Sequence, residues 1–499
     1  LKQPRPKKVN PRTPLQNVSD FIDGLKYSFE YAESQHKPVV VNLSWGTVSG
    51  PKDGNSLFSQ ALKTMVGKGK IFVASAANNG DGATHIMKQF TQNDTLFKTY
   101  FTYSQYITTP PKGIWLDAWG DSAKTYSLDL AIIDSATKNI ISETGFIPGN
   151  IDNTYNINLV AQNDTVNITF YAIPNDFNGR PHFYLEIGSQ KNHYFSFSAK
   201  ANEGALHMWN LFRLNNSLVS TDFIKFGDIN AQAGDNKFTI SDWISGPDVI
   251  GVGAYVSKVY VLNENGQSIY FPGGAPYENL ATFSSRGPSL NGMIKPDFAA
   301  PGAGVVSSIN SYDTTYALKG SNSIGVIKRV NYLGEKYPYA MLEGTSMSSP
   351  VATGTIALML EADSTLTPAK ILDLIQRNAR RDKYTGNNLP DNNWGYGKLN
   401  AFITMKDLLG VSDVNDVQEI PITNIYPNPA SNYVNINIAG IGSASLVLIN
   451  PLGQILIDKE INLENFNTID IHQIPSGMYL IIIKQKDKFL LREKLIISK

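Results

Sequence analysis

Two hydrophobic spacings alternate along the first part of the chain. Apolar residues recur at helical spacing between Val18 and Ala32 and again near Ser56–Met65, which predicts two amphipathic helices. The segments Pro38–Trp45 and Lys70–Ala76 are short, nearly continuous apolar runs, which are typical of strands buried on both faces. The alternation of helix and strand predicts a doubly wound, mostly parallel α/β sheet.

The pattern changes near residue 90 to short alternating segments without a helical period. Turn residues such as Pro174, Asn175 and Asn178 separate these segments. We therefore predict an inserted antiparallel β jelly roll over residues 91–245. The predicted strands include Tyr126–Ile132, Ile168–Ala172, His182–Ile187, Tyr194–Phe197 and Ala205–Phe212.

The α/β pattern then returns. A buried strand is predicted at Asp248–Tyr255, a long apolar helix at Thr345–Leu360 and a further helix at Pro368–Arg377. Residues 1–90 and 246–412 are therefore predicted to form one α/β domain that is interrupted by the insert.

The end of the chain is predicted to be a separate module. Residues 413–422 have the composition of a polar linker, and residues 423–499 return to short alternating segments. We predict a small antiparallel β-sandwich in this region. Its predicted strands are Tyr433–Ile438, Ala444–Ile449, Gln454–Asp458, Met478–Lys484 and Phe489–Ile497.

The composition excludes several classes of function. Lys plus Arg and Asp plus Glu both number 43, so no charge excess predicts binding to nucleic acid or anionic lipid. There is no Cys, which excludes disulfides, a thiol nucleophile and Cys-ligated zinc. No apolar run is long enough to span a bilayer, and no carboxylate-rich loop predicts a metal site. We predict no cofactor.

The strongest chemical signal is the segment Glu343–Pro350, with the sequence EGTSMSSP, at the start of the long apolar helix. Gly344 permits a sharp turn, and Ser346 lies in the first helical turn, where its N–H can face a developing oxyanion. On these residues alone, an ordinary Ser-capped core helix is the alternative. The run GTSMSSP resembles the nucleophile motif of the subtilases, the subtilisin-like serine proteases. The resemblance implies that Ser346 is the catalytic nucleophile.

A second segment resembles the edge of the subtilase cleft. Val41–Gly46, with the sequence VNLSWG, is similar to the family strand that pairs with the substrate backbone. The resemblance implies substrate contacts at Ser44, Trp45 and Gly46. The alternative is a buried strand followed by its turn.

A third segment resembles the part of the family that supplies an oxyanion donor. Phe72–Gly80, with the sequence FVASAANNG, is similar to the family run in which an Asn amide donates to the oxyanion. The resemblance implies this catalytic role for Asn78 and substrate contacts for Ser75, Ala76 and Ala77. Ala77 departs from the usual family Gly, which puts the size of the specificity pocket in doubt.

Further segments resemble structural parts of the family. They are Phe283–Pro288, Lys295–Gly302 and the closing motif Trp394–Asn400. The resemblance covers roughly residues 15–90 and 245–405. The insert resembles, by architecture alone, the jelly roll of clostridial spore-germination subtilases.

The rest of a Ser–His–Asp triad has no match. The histidine takes the serine proton and the aspartate orients the histidine, and the family places both ahead of the oxyanion Asn. Neither family motif occurs in this sequence. The start at Leu1 favours an incomplete chain, and a true pseudoenzyme is the alternative. In either case we expect the 499-residue chain to be proteolytically inactive. The six histidines are His36, His85, His182, His193, His207 and His472, of which His85 is the one near a site loop.

The C-terminal module resembles the sorting domain of type IX secretion cargo in Bacteroidetes. The resemblance rests on NIYPNPAS at Asn424–Ser431, NPLGQ at Asn450–Gln454, IPSGMYL at Ile474–Leu480 and the final Glu493–Lys499. It implies export, recognition by the type IX secretion machinery, and an extracellular or outer-membrane surface location. An accessory sandwich that binds carbohydrate or protein is the alternative.

The predicted function is a secreted serine endopeptidase that acts on peptide or protein substrates through an acyl-enzyme at Ser346. A catalytically dead subtilase scaffold that binds partners at the cell surface is one alternative. An esterase that uses the same serine is another, although the strand-like edge at Ser44–Gly46 favours peptides.

Overall fold

A computed structural model describes residues 18–103, 112–149, 152–161, 163–214, 217–270, 273–410, 424–437, 442–463, 467–485 and 488–499. The chain divides into two compact units, Leu1–Leu409 and Gly410–Lys499. The predicted linker at 413–422 lies outside the described residues.

The first unit begins with the predicted alternation of helix and strand. It contains helix α1 (Val18–Ser34), strand β1 (Val39–Leu43), helix α2 (Leu57–Met65) and strand β2 (Lys70–Ser75). The Ser56 side chain accepts a hydrogen bond from the Ser59 N–H and caps α2, which explains where this helix begins. The two strands pair in parallel, and β2 is buried as its apolar run predicts, whereas every residue of β1 is half-buried.

The next part of this unit is a sandwich of two antiparallel sheets. Seven strands form one sheet and five form the other, and their facing side chains share one aromatic-rich core. The sandwich includes a strand ahead of the predicted boundary at residue 91. The strands are β3 (His85–Phe90), β4 (Leu96–Thr102), β5 (Lys112–Gly120), β6 (Ser127–Ile133), β7 (Ile140–Glu143), β8 (Ile147–Pro148), β9 (Asn153–Ala161), β10 (Asp164–Ala172), β11 (His182–Ser189), β12 (Tyr194–Lys200), β13 (Gly204–Leu214) and β14 (Ser217–Ser220).

The α/β part then resumes and contains strands that the hydrophobic pattern does not reveal. Pro301 lies inside β18 and Pro338 inside β20, and proline is rare within strands, so these segments lack a strand-like sequence. The elements are β15 (Ile250–Val256), β16 (Tyr260–Leu262), β17 (Ser268–Tyr270), β18 (Phe298–Ser308), β19 (Val326–Tyr332), β20 (Glu335–Glu343), α3 (Thr345–Ala362), α4 (Pro368–Arg377) and α5 (Ala401–Leu408).

The α/β elements form a three-layer structure. The central sheet has the order β1-β2-β15-β18-β20-β19, with parallel pairing from β1 to β18 and antiparallel pairing beyond it. Alternate residues of β2 point to opposite faces. Ile71 and Val73 pack in the cluster that contains α3 and α4, whereas Phe72 and Ala74 pack in the cluster that contains α1 and α2. This confirms a doubly wound, mostly parallel sheet.

The second unit is a small β-sandwich. A three-stranded and a four-stranded antiparallel sheet enclose one aliphatic core. All five predicted strands are present within a few residues of their predicted ends, and two short strands were not predicted. The strands are β21 (Asn424–Tyr426), β22 (Tyr433–Asn437), β23 (Ser443–Ile449), β24 (Ile455–Asn462), β25 (Asn467–Asp470), β26 (Gly477–Gln485) and β27 (Lys488–Ile497).

Candidate active site

Ser346 is the second residue of α3 and lies beside the end of β1. It is half-buried, and its Oγ donates a hydrogen bond of 3.4 Å to the backbone oxygen of Ser44. In return, Ser44 Oγ donates to the backbone oxygen of Ser346 at 2.7 Å. The structure therefore brings together two predicted site residues that are separated by some 300 positions in the chain.

Asn42 holds this arrangement in place, and sequence reasoning missed it. Its Nδ2 donates to Ser44 Oγ at 3.0 Å. Its Oδ1 accepts from Ser349 Oγ at 2.6 Å and from Thr353 Oγ1 at 3.2 Å, both in the first turns of α3. A single Asn within an otherwise apolar strand was the available signal, because a buried amide needs partners.

The orientation of the Asn78 amide is fixed by Thr345. Asn78 Oδ1 accepts hydrogen bonds from both the backbone N–H and the hydroxyl of Thr345, each at 2.9 Å. A backbone N–H can only donate, so the amide oxygen must face Thr345 and the Nδ2 group must face away from it. Asn78 is exposed, which leaves the two Nδ2 hydrogens available to a ligand.

Gly344, directly before α3, lies beside Asn78 and Ser346. A Cβ placed on Gly344 would lie 3.5 Å from Asn78 Nδ2, 3.6 Å from Met347 Sδ and 3.7 Å from the backbone nitrogen of Ser346. Two amide nitrogens and one sulfur therefore border the position that a side chain at residue 344 would occupy. Gly344 also has a φ of +140°, which favours glycine over residues with a Cβ.

The loops that follow β1 and β2 meet across Ser241. A Cβ on Gly46 would lie 3.0 Å from Ser241 Oγ and 3.9 Å from the Ala77 Cβ. The Thr47 N–H donates to Ser241 Oγ at 3.2 Å. Trp45, beside Gly46, is 48% exposed and offers an apolar surface at this edge. Ser44, Trp45 and Gly46 thus lie along one accessible edge next to Ser346.

The three residues Ser75, Ala76 and Ala77, which were predicted to contact the substrate, differ in accessibility. Ser75 and Ala76 are 2% and 0% exposed, and the Ala76 side chain packs in the core with α1 and α2. Neither side chain faces solvent. Ala77 is half-buried and has a φ of +86°. This left-handed conformation is unfavourable for a residue with a Cβ, which gives a physical reason for glycine at the corresponding family position.

Among the hydrogen bonds of the described residues, none joins Ser346 to one of the five histidines of the first unit. His85 is fully buried, and its Nδ1 and Nε2 are hydrogen-bonded to Asp235 at 2.8 Å and to His207 at 3.0 Å. Burial lowers the pKa of His85, although Asp235 opposes this, and burial and the neighbouring His85 lower the pKa of His207 further. His85 is therefore not placed to act on Ser346.

Comparisons with known proteins find matches to two families. Residues 192–397 match the subtilase family, and residues 424–498 match the secretion system C-terminal sorting domain. The chain is 30% identical to serine protease AprX of Bacillus subtilis over 177 residues, and 29% identical to pyrolysin of Pyrococcus furiosus over 161 residues. These matches cover 35% and 30% of this chain but only 34% of AprX and 10% of pyrolysin.

A solved structure extends the likeness beyond the sequence matches. The CspB protease of Clostridium perfringens superposes with a TM-score of 0.58 at 20% identity, over 81% of this chain and 75% of that chain. At this identity the likeness concerns the fold. The chain therefore resembles the subtilase family over residues 192–397 and the secretion system C-terminal sorting domain over residues 424–498, and it has a fold similar to that of the solved protease.

The described residues contain neither a candidate membrane-spanning helix nor a candidate metal centre. None of the described helices is long and apolar enough to cross a membrane. Within the same residues, no group of three or more His, Asp or Glu side chains is arranged to hold a metal ion.

Proposed function

We propose that the first unit supplies the nucleophile, the oxyanion site and the substrate edge of a secreted serine endopeptidase. The observation that supports this most strongly is that Asn78 Nδ2 and the Ser346 backbone nitrogen lie 3.5 and 3.7 Å from the position of a Cβ on Gly344, next to the predicted nucleophile. In this proposal Ser346 Oγ attacks the scissile carbonyl, a C–O bond forms, and the carbonyl oxygen becomes an anion between these two donors. Ser44, Trp45 and Gly46 bind the substrate as an added strand.

The proton of Ser346 Oγ needs an acceptor, and among the described residues this oxygen is hydrogen-bonded to the Ser44 backbone oxygen and to no histidine of the first unit. We propose that the parent protein contains the histidine and aspartate of the triad in a segment outside this chain. Among the described strands, β1 pairs only with β2, so its second edge is available for further strands. The 499-residue chain alone should then not hydrolyse peptides.

The test uses a tetrapeptide boronic acid, acetyl-Ala-Ala-Pro-boroLeu, whose boron adds a serine oxygen to form an anionic tetrahedral adduct. The adduct resembles the tetrahedral intermediate, and its formation does not require cleavage of a peptide bond. We expect a tetrahedral boron signal in ¹¹B NMR spectra of the chain and its loss in Ser346→Ala. Retention of the signal in that variant would show that Ser346 is not the nucleophile.

A second assay tests the missing base. The chain and Ser346→Ala are compared for release of a chromophore from a peptide anilide. If the chain released the chromophore and Ser346→Ala did not, a base would be present within the chain. That result would overturn the proposal that the base lies elsewhere.

The absence of a histidine contact at Ser346 also favours a second candidate, a subtilase scaffold that binds partners without catalysis. The gene that encodes the parent protein distinguishes the two. A histidine motif and an aspartate upstream of the chain support the enzyme, and a complete gene that lacks both supports the binding protein.

The sorting domain supports export, and we propose recognition by the type IX machinery and release at the outer-membrane surface of a Bacteroidetes-type bacterium. Removal of residues 424–499 should retain the protein inside cells of a host that has this machinery. Equal amounts of truncated and full-length protein outside the cells would contradict the proposal.

A further inference from the structure

The loop between β1 and α2 connects the active site to the inserted sandwich. We call residues 44–54 the edge loop. It begins at Ser44, which is hydrogen-bonded to Ser346, and continues through Gly50. Gly50 has a φ of +115°, and a Cβ there would lie 2.8 Å from Asp242 Cγ. The edge loop is therefore packed closely against Asp242 at Gly50.

Asp117 of the inserted strand β5 holds the middle of the edge loop. It is 1% exposed, and its Oδ2 accepts a hydrogen bond of 2.7 Å from the Gly50 N–H. Its Oδ1 accepts from Trp119 Nε1 at 2.7 Å and from His182 Nε2 at 2.8 Å. Burial raises the pKa of Asp117, but the hydrogen bonds and nearby charges outweigh burial and hold this pKa below its usual value. The Asp117 carboxylate is therefore ionised, and both of its oxygens accept hydrogen bonds.

Lys52 provides a second attachment two residues further along the edge loop. Its side chain is buried, and Nζ donates to the backbone oxygens of Val48 and Ile240, each at 2.9 Å. The same Nζ lies 5.0 Å from the centre of the Trp209 ring, which belongs to inserted strand β13. Val48 packs in an apolar cluster with Trp119 and Trp209.

The residues of the larger inserted sheet that contact the edge loop lie on one face of that sheet. Asp117 and Trp119 are two positions apart on β5, so their side chains share a face. Trp209 is the cross-strand partner of Asp117, and His182 is the partner of Trp119. The rings of His182 and Trp119 are stacked at 3.8 Å with an interplanar angle of 10°. One face of the insert is thus built around the carboxylate that binds Gly50.

We propose that Asp117 is a positioning residue for substrate binding, which it supports by holding the edge loop so that Ser44–Gly46 stays extended beside Ser346. The inference rests on the proposed function of Ser346. It assigns the insert a specific task at the cleft, because an edge that is already ordered loses less conformational freedom when a substrate strand pairs with it. Asp117 itself does not touch the substrate.

The test compares Asp117→Asn with Asp129→Asn. Asp129 is also a buried carboxylate of the insert, but it lies on β6 and accepts from Thr144 Oγ1, without contact to the edge loop. Hydrogen exchange measured by mass spectrometry should become faster over residues 44–54 in Asp117→Asn and stay at the wild-type rate in Asp129→Asn. Trp119→Phe removes one donor to Asp117 and serves as a milder second variant.

Two boronic acids separate positioning from general damage to the fold. The tetrapeptide boronic acid extends along Ser44–Gly46, whereas phenylboronic acid reaches only Ser346 and the oxyanion site. Asp117→Asn should weaken the tetrapeptide about 10-fold, the scale of one hydrogen bond to a charged group, and leave phenylboronic acid unchanged. Equal weakening of both probes, or faster exchange throughout the unit, would overturn the positioning role.

Unchanged exchange of the edge loop in folded Asp117→Asn would also overturn the proposal. If the wild type bound neither boronic acid, the assignment of Ser346 would fail instead. The exchange of residues 44–54 would then still decide whether Asp117 holds the edge loop.

Discussion

The inserted sandwich and the Ser346 site differ in how they use histidine. The sandwich contains His85, His182, His193 and His207, and each forms a hydrogen bond to an aspartate or to another histidine. In the described residues Ser346 is hydrogen-bonded to Ser44 and to no histidine of the first unit, and Asn78 Nδ2 and the Ser346 nitrogen both lie beside Gly344. A His–Asp hydrogen bond therefore does not by itself locate a catalytic site, because accessibility and the position of a nucleophile also decide what such a pair can do.

The difference also separates the two halves of serine protease chemistry. Stabilisation of an oxyanion depends on fixed dipoles, and the hydrogen bonds from Thr345 fix the orientation of the Asn78 amide without a base. Proton transfer depends on a group whose pKa suits the task, and among the described residues no histidine of the first unit is hydrogen-bonded to Ser346.

After replacement of Ser346 itself, the largest expected effect comes from removal of the predicted oxyanion donor Asn78. Asn78→Ala should weaken binding of the tetrapeptide boronic acid by about 100-fold, because removal of one oxyanion donor has cost this much or more in subtilisin. Asn79→Ala is the matched control, since only the Asn79 backbone N–H is bound, to Ser285 Oγ at 2.9 Å. Equal affinities of the two variants, measured by isothermal calorimetry, would show that Asn78 is not a donor.

The buried histidines of the sandwich should affect stability in acid. Burial lowers the pKa values of His85 and His207 in the folded state. The unfolded chain therefore binds more protons below about pH 6.5. The free energy of unfolding should therefore fall as the pH drops from 7.5 to 5.5, by up to about 1.4 kcal/mol per pH unit for each histidine. Urea unfolding at several pH values measures this slope.

The control for this prediction is a comparison of variants. His207→Asn should reduce the slope, whereas His472→Gln, at an exposed residue of the second unit, should leave it unchanged. Comparison with the wild type cancels other groups, such as Asp242, whose pKa burial raises to about 6. A slope that His207→Asn leaves intact would show that this pair is not the cause.

The smallest expected effect concerns backbone strain beside the oxyanion site. Ala77→Gly should raise the free energy of unfolding by about 1 kcal/mol, because glycine adopts the φ of +86° without a clashing Cβ. Ala76→Gly should instead lower stability, since Ala76 is a buried core residue at the end of β2. Denaturant midpoints compare the two, and a loss of stability in both would contradict the strain argument.

Much of the fold could be predicted because most elements have strong local patterns. Helix α4 begins and ends at its predicted residues, β1 and β2 lie within their predicted apolar runs, and β15 extends one residue beyond its predicted run. Strands β18 and β20 were missed because each contains a proline, and their place in the sheet depends on pairing with distant strands. Non-local pairing leaves little signal in a short window of sequence.

The sequence by itself predicts Ser346, Asn78 and the edge at Ser44–Gly46 as site residues, because their motifs resemble those of the subtilases. Only the tertiary structure decided which way the Asn78 amide faces, that Ala77 has a positive φ, and that His85 is buried away from Ser346. It alone also placed Asp117 on Gly50. Each of these facts depends on contacts between residues far apart in the chain, and such contacts exist only after the layers have packed.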